Sequence, residues 1–349
     1  MSTADTTTPA TPSPEHGPAP GHTGAAVPGP SHAPSPTGAD APRPALSDAK
    51  RELLRRRLAS RARPRAVVPR RAPGTPVPLS FAQERLWFME QFAPGTSAYN
   101  IPVVRRLRGT LDADALRAAL DTSTARHETL RSRYPATEDG RPLLVVDPPG
   151  PAAFSLREAA DEASAERIVD EAAAVPFDLD KGPLFRSLLV RLADDDHVLL
   201  LLVHHSVSDG WSSEVLLGEV LRSYAARVAG APDPLPELAV QYGDFALWQR
   251  DRLSGERLAG ELAHWSRELA GVEPLELSFS LPRPSRQTFE GAGYAFAVDR
   301  ALLDRLAALG DRHDATLHMV LLAAFQLLLS RYSGQRDFAV GSPVAGRPE

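Results

Sequence analysis

Two adjacent histidines, His204 and His205, end the apolar run Val198-Leu-Leu-Leu-Leu-Val203 and lead into Ser206-Val-Ser-Asp209-Gly210. The run reads as a buried strand, and a helix begins just after it. Imidazole titrates near neutrality. A histidine at such a strand end therefore suits a general base that takes a proton from an attacking amine or hydroxyl, or a neutral acceptor that orients it. Neighbouring side chains on a strand point to opposite faces, so only one of the two histidines can face a given cavity and the other is structural. The same geometry argues against a metal. Neither this pair nor His313 and His318, read as five apart on one helix, places two ligands on one face. Asp209 can orient the histidine, cap the helix or pair with a distant arginine, and a structural role is favoured. Gly210 either lets the backbone approach a ligand closely or takes a positive φ.

The elements that must position these residues are a mixture of helices and strands without regular alternation. Helices are expected over Ser80–Phe92, Asp112–Arg126, Ala159–Ala174 and Ser212–Val228, the last with Val215, Leu216, Val220, Leu221 and Tyr224 at helical spacing. Strands are expected at Ile101–Leu107 and Leu143–Val146. Leu184–Leu192 and His197–His205 read as a hairpin joined by the polar turn Ala193–Asp196. Further on, Tyr294, Phe296 and Val298 alternate as a strand does, and Leu317–Leu329 reads as a helix buried on most sides. Two Pro-rich breaks, 232–236 and 281–285, bracket a lobe boundary placed near the second.

Composition limits the alternatives. The 349-residue chain has no cysteine, which excludes a thiol nucleophile, a Cys-based zinc site and disulfides, and fits the reducing cytoplasm expected as its location. A net charge of -5 offers no broad field for nucleic acid, although 51–71 is locally basic. No leader or membrane span is read, and no membrane association is expected. Residues 1–45, rich in Pro, Ala, Ser, Thr and Gly, read as disordered. Residues 46–78 form a linker with a short basic helix, Ser47–Ser60, striped by Leu53, Leu54 and Leu58. The packed protein divides into 79–280 and 281–349.

His204 to Gly210 matches the HHxxxDG signature shared by condensation domains of nonribosomal peptide synthetases and related acyltransferases, and Trp211-Ser212 continues it in the condensation-domain manner. Four further segments resemble that family's motifs in order: Ser80-Phe-Ala-Gln-Glu-Arg-Leu-Trp87, Arg126-His-Glu-Thr-Leu-Arg131, Tyr242-Gly-Asp-Phe-Ala-Leu-Trp248 and Gly341-Ser-Pro-Val-Ala-Gly-Arg347. Pro176–Leu184 and Thr316–Ala324 also resemble it, so the likeness runs from about Leu79 to Glu349. It implies an α+β, two-lobed fold similar to chloramphenicol acetyltransferase, with a tunnel between the lobes. The family continues beyond the segment matching Gly346-Arg347-Pro348, so the second lobe is expected to be incomplete and the implied activity is that of the parent domain.

The resemblance implies amide formation between an acyl or peptidyl thioester on an upstream peptidyl carrier protein and an aminoacyl amine on a downstream one, with an adenylation domain adjacent. Substrates arrive on phosphopantetheine arms, and no cofactor or metal is bound directly. His205 corresponds to the catalytic second histidine and His204 to its packing partner. Asp209 corresponds to a supporting aspartate whose expected partner is Arg347, and Arg131 is a second candidate for shaping the site. For Arg85 and Trp87 core packing weighs at least as much as function. The alternatives are a stand-alone acyltransferase using CoA or a carrier, and a non-catalytic recruitment domain, a class that tends to lose the motif histidine. Gly210 and the Ser80–Trp87 and Gly341–Arg347 segments fit condensation better than epimerisation. The paired histidines disfavour a heterocyclising domain. Trp211-Ser212 and Ala98–Pro102 resemble the subtype joining two L-configured residues.

Overall fold

The computed structural model describes residues 67–277 and 294–342. The linker helix expected at Ser47–Ser60, the disordered start, the lobe boundary near 281–285 and Arg347 lie outside the described residues.

A four-stranded sheet carries the site. Its strands are β1 (Asn100–Arg108), β4 (Phe154–Glu158), β5 (Phe185–Ala193) and β6 (Asp196–His204), in the order β1-β6-β5-β4. β6 is antiparallel to both its neighbours, and β4 runs parallel to β5 at the edge. A central strand is covered on both faces, which is why β6 tolerates an unbroken apolar run. Every residue from His197 to His204 is buried. β5 and β6 form the expected hairpin, turning at Asp194-Asp195, with a register shift between Arg191 and Ala193. A two-stranded ribbon, β2 (Ser132–Arg133) with β3 (Val145–Val146), stands apart from the sheet.

Four helices complete the core around the sheet: α1 (Phe81–Phe92), α2 (Ala113–Arg126), α3 (Glu162–Ala174) and α4 (Gly210–Val228). Leu116 and Leu120 of α2, Val169 of α3 and Leu216, Leu217 and Val220 of α4 join Leu188–Val190 and Val198–Val203 in one cluster. Polar side chains cap the starts of two of these helices. Ser80 and Gln83 form a reciprocal capping box at α1, and Asp112 accepts from the Asp114 and Ala115 N–H groups at α2.

Two helices arise where no element was assigned, α5 (Tyr242–Arg252) and α6 (Gly255–Glu268). α3 starts at Glu162 rather than Ala159, because Phe154–Glu158 pairs with β5 and Asp161 caps the helix that follows. The expected strand at Tyr294–Val298 is not formed. Among the described residues it has no pairing partner, and Tyr294 and Phe296 are 90% and 80% exposed. The apolar segment 317–329 is helical, within α8 (Leu317–Ser333), but none of its residues is buried: its packing is against α7 (Arg300–Arg312). His313 caps α7 while His318 lies in α8, so the two are not on one helix. No single described helix is long and apolar enough to cross a membrane.

Candidate active site at the end of β6

His204 closes β6, and its backbone N–H donates to the Leu184 carbonyl. The chain then leaves the sheet with one more tie, from the His205 N–H to the Tyr99 carbonyl (2.8 Å). The expected division between the two histidines holds: His204 is 2% exposed, whereas His205 is solvent-facing.

His204 sits edge-on between the rings of Tyr99 and Phe177, at centroid distances of 6.1 and 6.0 Å. The Ser206 N–H reaches its Nδ1 at 3.2 Å, and the Ser206 hydroxyl lies 2.8 Å from the same atom. A backbone N–H can only donate, so Nδ1 carries no proton and the ring proton resides on Nε2. Burial, reinforced by the neighbouring His205, pushes the pKa of His204 down to about 4.

That depression makes folding pH-dependent. Between about pH 6.5, where the unfolded imidazole titrates, and about pH 4, the unfolded chain binds a proton that the folded chain refuses, so stability falls with pH. The contribution is complete above about 6.5 and lost toward 4, amounting to about 3 kcal/mol. Urea unfolding at pH 7.5 and 4.5 checks this. The decline is expected to shrink by about that amount in His204→Gln, and an unchanged pH dependence would contradict it.

His205 has the opposite tautomer. Its Nδ1 lies 2.9 Å from the Ser208 carbonyl oxygen, which can only accept, so Nδ1 holds a proton and in the neutral ring the lone pair is on Nε2. The turn between the histidines and α4 is compact. Val207 donates to the His204 carbonyl at 3.0 Å, and the Ser208 and Ser213 hydroxyls are 3.0 Å apart. Ser206, Val207 and Ser208 are all buried.

Asp209 is the N-cap of α4, accepting from the Ser212 N–H at 2.7 Å, which is the capping role among the readings open to it. Gly210 is the first residue of α4 and does not have positive φ. A Cβ there would meet nothing within 4 Å, so neither φ nor crowding requires a glycine at this position. Trp211 is 76% exposed. His204, His205, Asp209, Gly210, Trp211 and Ser212 thus come together at one strand-to-helix junction. Arg131 closes the 3-10 turn Glu128–Arg131 and donates through Nη1 to the Asp147 carbonyl beside the β2–β3 ribbon, and its Nε is buried with no partner among the described residues. Trp87 is a core residue, with Nε1 bonded to the Tyr134 carbonyl, and Arg85 is exposed.

Two polar residues that the sequence reading passed over also reach the junction. Gln83 and Tyr134, each 1% exposed, both donate to the Ser206 carbonyl, at 3.2 and 3.3 Å. A signal for Gln83 was present. It lies three and four residues before Leu86 and Trp87, on the buried face of α1, where a polar side chain needs partners.

An exposed imidazole at the end of a central strand, with Nδ1 held by a backbone carbonyl, has the chemistry to exchange a proton with an incoming nucleophile. The condensation-domain family matches residues 75–349. A linear gramicidin synthase of Brevibacillus parabrevis is 46% identical over 279 residues, covering 78% of this chain and 6% of that protein. Phosphinothricin tripeptide synthetase PhsC of Streptomyces viridochromogenes is 41% identical over 313 residues, covering 87% and 29%. Among solved structures, the X-domain in its complex with OxyB from teicoplanin biosynthesis superposes with a TM-score of 0.70 at 29% identity, over 78% of this chain and 60% of that one. SgcC5 from Streptomyces globisporus gives 0.62 at 31% identity, over 78% and 64%.

The chain belongs to the condensation-domain family. It has that family's α+β fold, and it spans a small part of the curated synthetases it matches.

Proposed function

We propose that this chain is part of a nonribosomal peptide synthetase and joins a carrier-bound acyl or peptidyl thioester to the amine of an aminoacyl group on a second carrier. The observation that carries the proposal is the His205 ring, which is exposed and whose Nδ1–H is committed to the Ser208 carbonyl, leaving Nε2 for a substrate. The amine nitrogen attacks the thioester carbonyl, forming the C–N bond through a tetrahedral intermediate. Collapse breaks the C–S bond. Nε2 accepts the proton that the amine loses and passes it to the departing thiolate, so the imidazole is restored and no metal or redox partner enters the balance. Holding both arms at one place makes the encounter effectively unimolecular, which is worth several kcal/mol by itself.

In this proposal His204 packs beneath the site as a neutral ring, and Asp209 caps α4 and pairs with Arg347. Arg131 supports the site from the β2–β3 side. Gly210, Trp211 and Ser212 form the wall beside His205. The substrates ride on phosphopantetheine arms of upstream and downstream carrier proteins, with an adenylation domain adjacent in the same synthetase, in the cytoplasm. The lean of Trp211-Ser212 and Ala98–Pro102 toward the subtype joining two L-configured residues is part of the proposal.

A single-turnover assay tests it. The domain within its synthetase is mixed with an acyl-loaded upstream carrier and an aminoacyl-loaded downstream carrier, and the carriers are read by mass spectrometry. Amide-linked product on the downstream carrier is the expected result. No transfer between carriers, but acylation from free CoA, would replace it with the stand-alone acyltransferase reading.

A further inference from the structure

The tautomer of His205 depends on where the Ser208 carbonyl sits, and nothing in the ring itself decides this. A neutral imidazole in water can place its proton on either nitrogen, so a fixed partner must select one. That partner belongs to the three-residue turn Ser206–Ser208, which is tied down at several points. Its far end is held through the Ser208 and Ser213 hydroxyls and through the Asp209 cap of α4. Its near end is held by groups distant in sequence.

We infer that Gln83 and Tyr134 are positioning residues for His205, gripping the Ser206 carbonyl so that the turn presents the Ser208 carbonyl to Nδ1. The inference rests on the reading of His205 as the acting imidazole. Gln83 uses its whole amide for this purpose. Its Oε1 accepts from the Ser80 N–H at 3.0 Å, while its Nε2 donates to both Tyr134 Oη (3.0 Å) and the Ser206 carbonyl (3.2 Å). The Tyr134 hydroxyl accepts from Gln83 and donates its own proton to the Ser206 carbonyl. Trp87 Nε1, one turn along α1, bonds the Tyr134 carbonyl at 3.0 Å, away from the hydroxyl that grips the turn.

Burial gives the arrangement its rigidity. Gln83 and Tyr134 are each 1% exposed and Ser206 is 5% exposed, so water cannot replace a lost partner without opening the core. Were the Ser206 carbonyl to swing away, it would leave Gln83 Nε2 and the tyrosine hydroxyl each short of an acceptor. The turn is therefore confined to one arrangement, and with it the ring proton of His205.

The test reads the tautomer directly in this chain with 15N-labelled histidine, by long-range 1H–15N correlation in alkaline buffer, at a pH above which the His205 signals no longer move. The His205 signals are assigned by their loss in His205→Gln. In the wild type, a protonated Nδ1 and an unprotonated Nε2 are expected. In Tyr134→Phe, which keeps the ring volume, and in Gln83→Leu, both nitrogens are expected to move toward the values averaged over two exchanging tautomers. In the synthetase the same variants should lower kcat about tenfold with KM within about twofold, as a misplaced reacting group does. Trp87→Phe loses its bond to the Tyr134 carbonyl but leaves both hydrogen bonds to the Ser206 carbonyl in place, so it should lower Tm and leave the His205 signals where they are. Unchanged His205 signals in Tyr134→Phe, or an equal shift in Trp87→Phe, would overturn the inference. Because the spectrum does not depend on turnover, a tautomer shift with an unchanged rate would uphold the positioning and count against the proposed role of His205.

Discussion

If the proposed reaction is the right one, His205→Ala is expected to slow amide formation by roughly 10²- to 10⁴-fold, the range over which a positioned acid or base acts, while leaving the folded protein as stable as before. The two halves of that expectation come from one geometry. His205 is exposed, and among the described residues its ring is tied to the Ser208 carbonyl, which α4 and the Ser206–Ser208 turn hold independently. Removing an exposed side chain of this kind changes stability by about 0.5 kcal/mol or less. A fall in rate with an unmoved Tm therefore reports chemistry. Less than a tenfold loss would remove His205 from the reaction.

A second substitution separates the two roles an imidazole can play. In His205→Gln the amide oxygen can accept a hydrogen bond from the amine but cannot take up its proton at neutral pH. Recovery of most of the rate in this variant would make His205 a positioning acceptor. A rate as low as that of His205→Ala would make it the base.

The strand-to-helix junction around His205 was legible in the sequence because it depends on short-range rules. An apolar run covered on both faces names a central strand, and side-chain alternation separates His204 from His205. Helix caps such as Ser80 and Asp112 are local as well, and they fall where the residue types require. Misreadings arise where partners are remote. β4 is a strand through its parallel pairing with β5, more than thirty positions away, and nothing within Phe154–Glu158 announces it. The alternation of Tyr294, Phe296 and Val298 promised a strand, yet a strand needs a neighbour, and none is present among the described residues. α8 is helical by composition, but burial is a property of its surroundings, and against α7 alone its apolar side chains stay open. Gln83 and Tyr134 belong to the same class. Their bonds to Ser206 span 123 and 72 positions, and only the polar side chain within a buried helical face hinted at the first.

Away from β6, the Tyr242–Trp248 motif bears on stability through Asp244, where the largest effect is expected. Its carboxylate is 2% exposed and accepts from the Arg71 backbone N–H at 3.2 Å, from Arg71 Nη1 at 2.8 Å and from the Gln241 N–H at 2.8 Å. Arg71 Nη2 meanwhile holds Glu128, in the Arg126–Arg131 segment, at 2.6 Å. One arginine thus joins the chain before α1 to two motifs 57 and 173 positions away. Gly243 makes the approach possible, since a Cβ there would stand 3.0 Å from Arg71 Nη1 and 3.2 Å from Val77 Cγ1. Burial works against the charged carboxylate, but the bonds from Gln241 and Arg71 outweigh it and hold its pKa below the ordinary range.

Asp244→Ala leaves the Gln241 N–H without its acceptor and the largely buried guanidinium with Glu128 alone, at an expected cost of about 3 kcal/mol in urea unfolding at pH 7.5. The sign of the pH dependence follows from the lowered pKa. The wild type has this contribution above the unfolded carboxyl value of about 4 and loses it as pH falls through the lower folded value, so the gap to Asp244→Ala narrows in acid. Arg71→Met combined with Asp244→Leu removes both charges and fills the space, and should cost less than the sum of the single changes because no lone buried charge remains. A cost within about 0.5 kcal/mol for Asp244→Ala, the level of an ordinary surface change, would mean that water reaches the pair. The motif would then owe its form to something other than this ion pair.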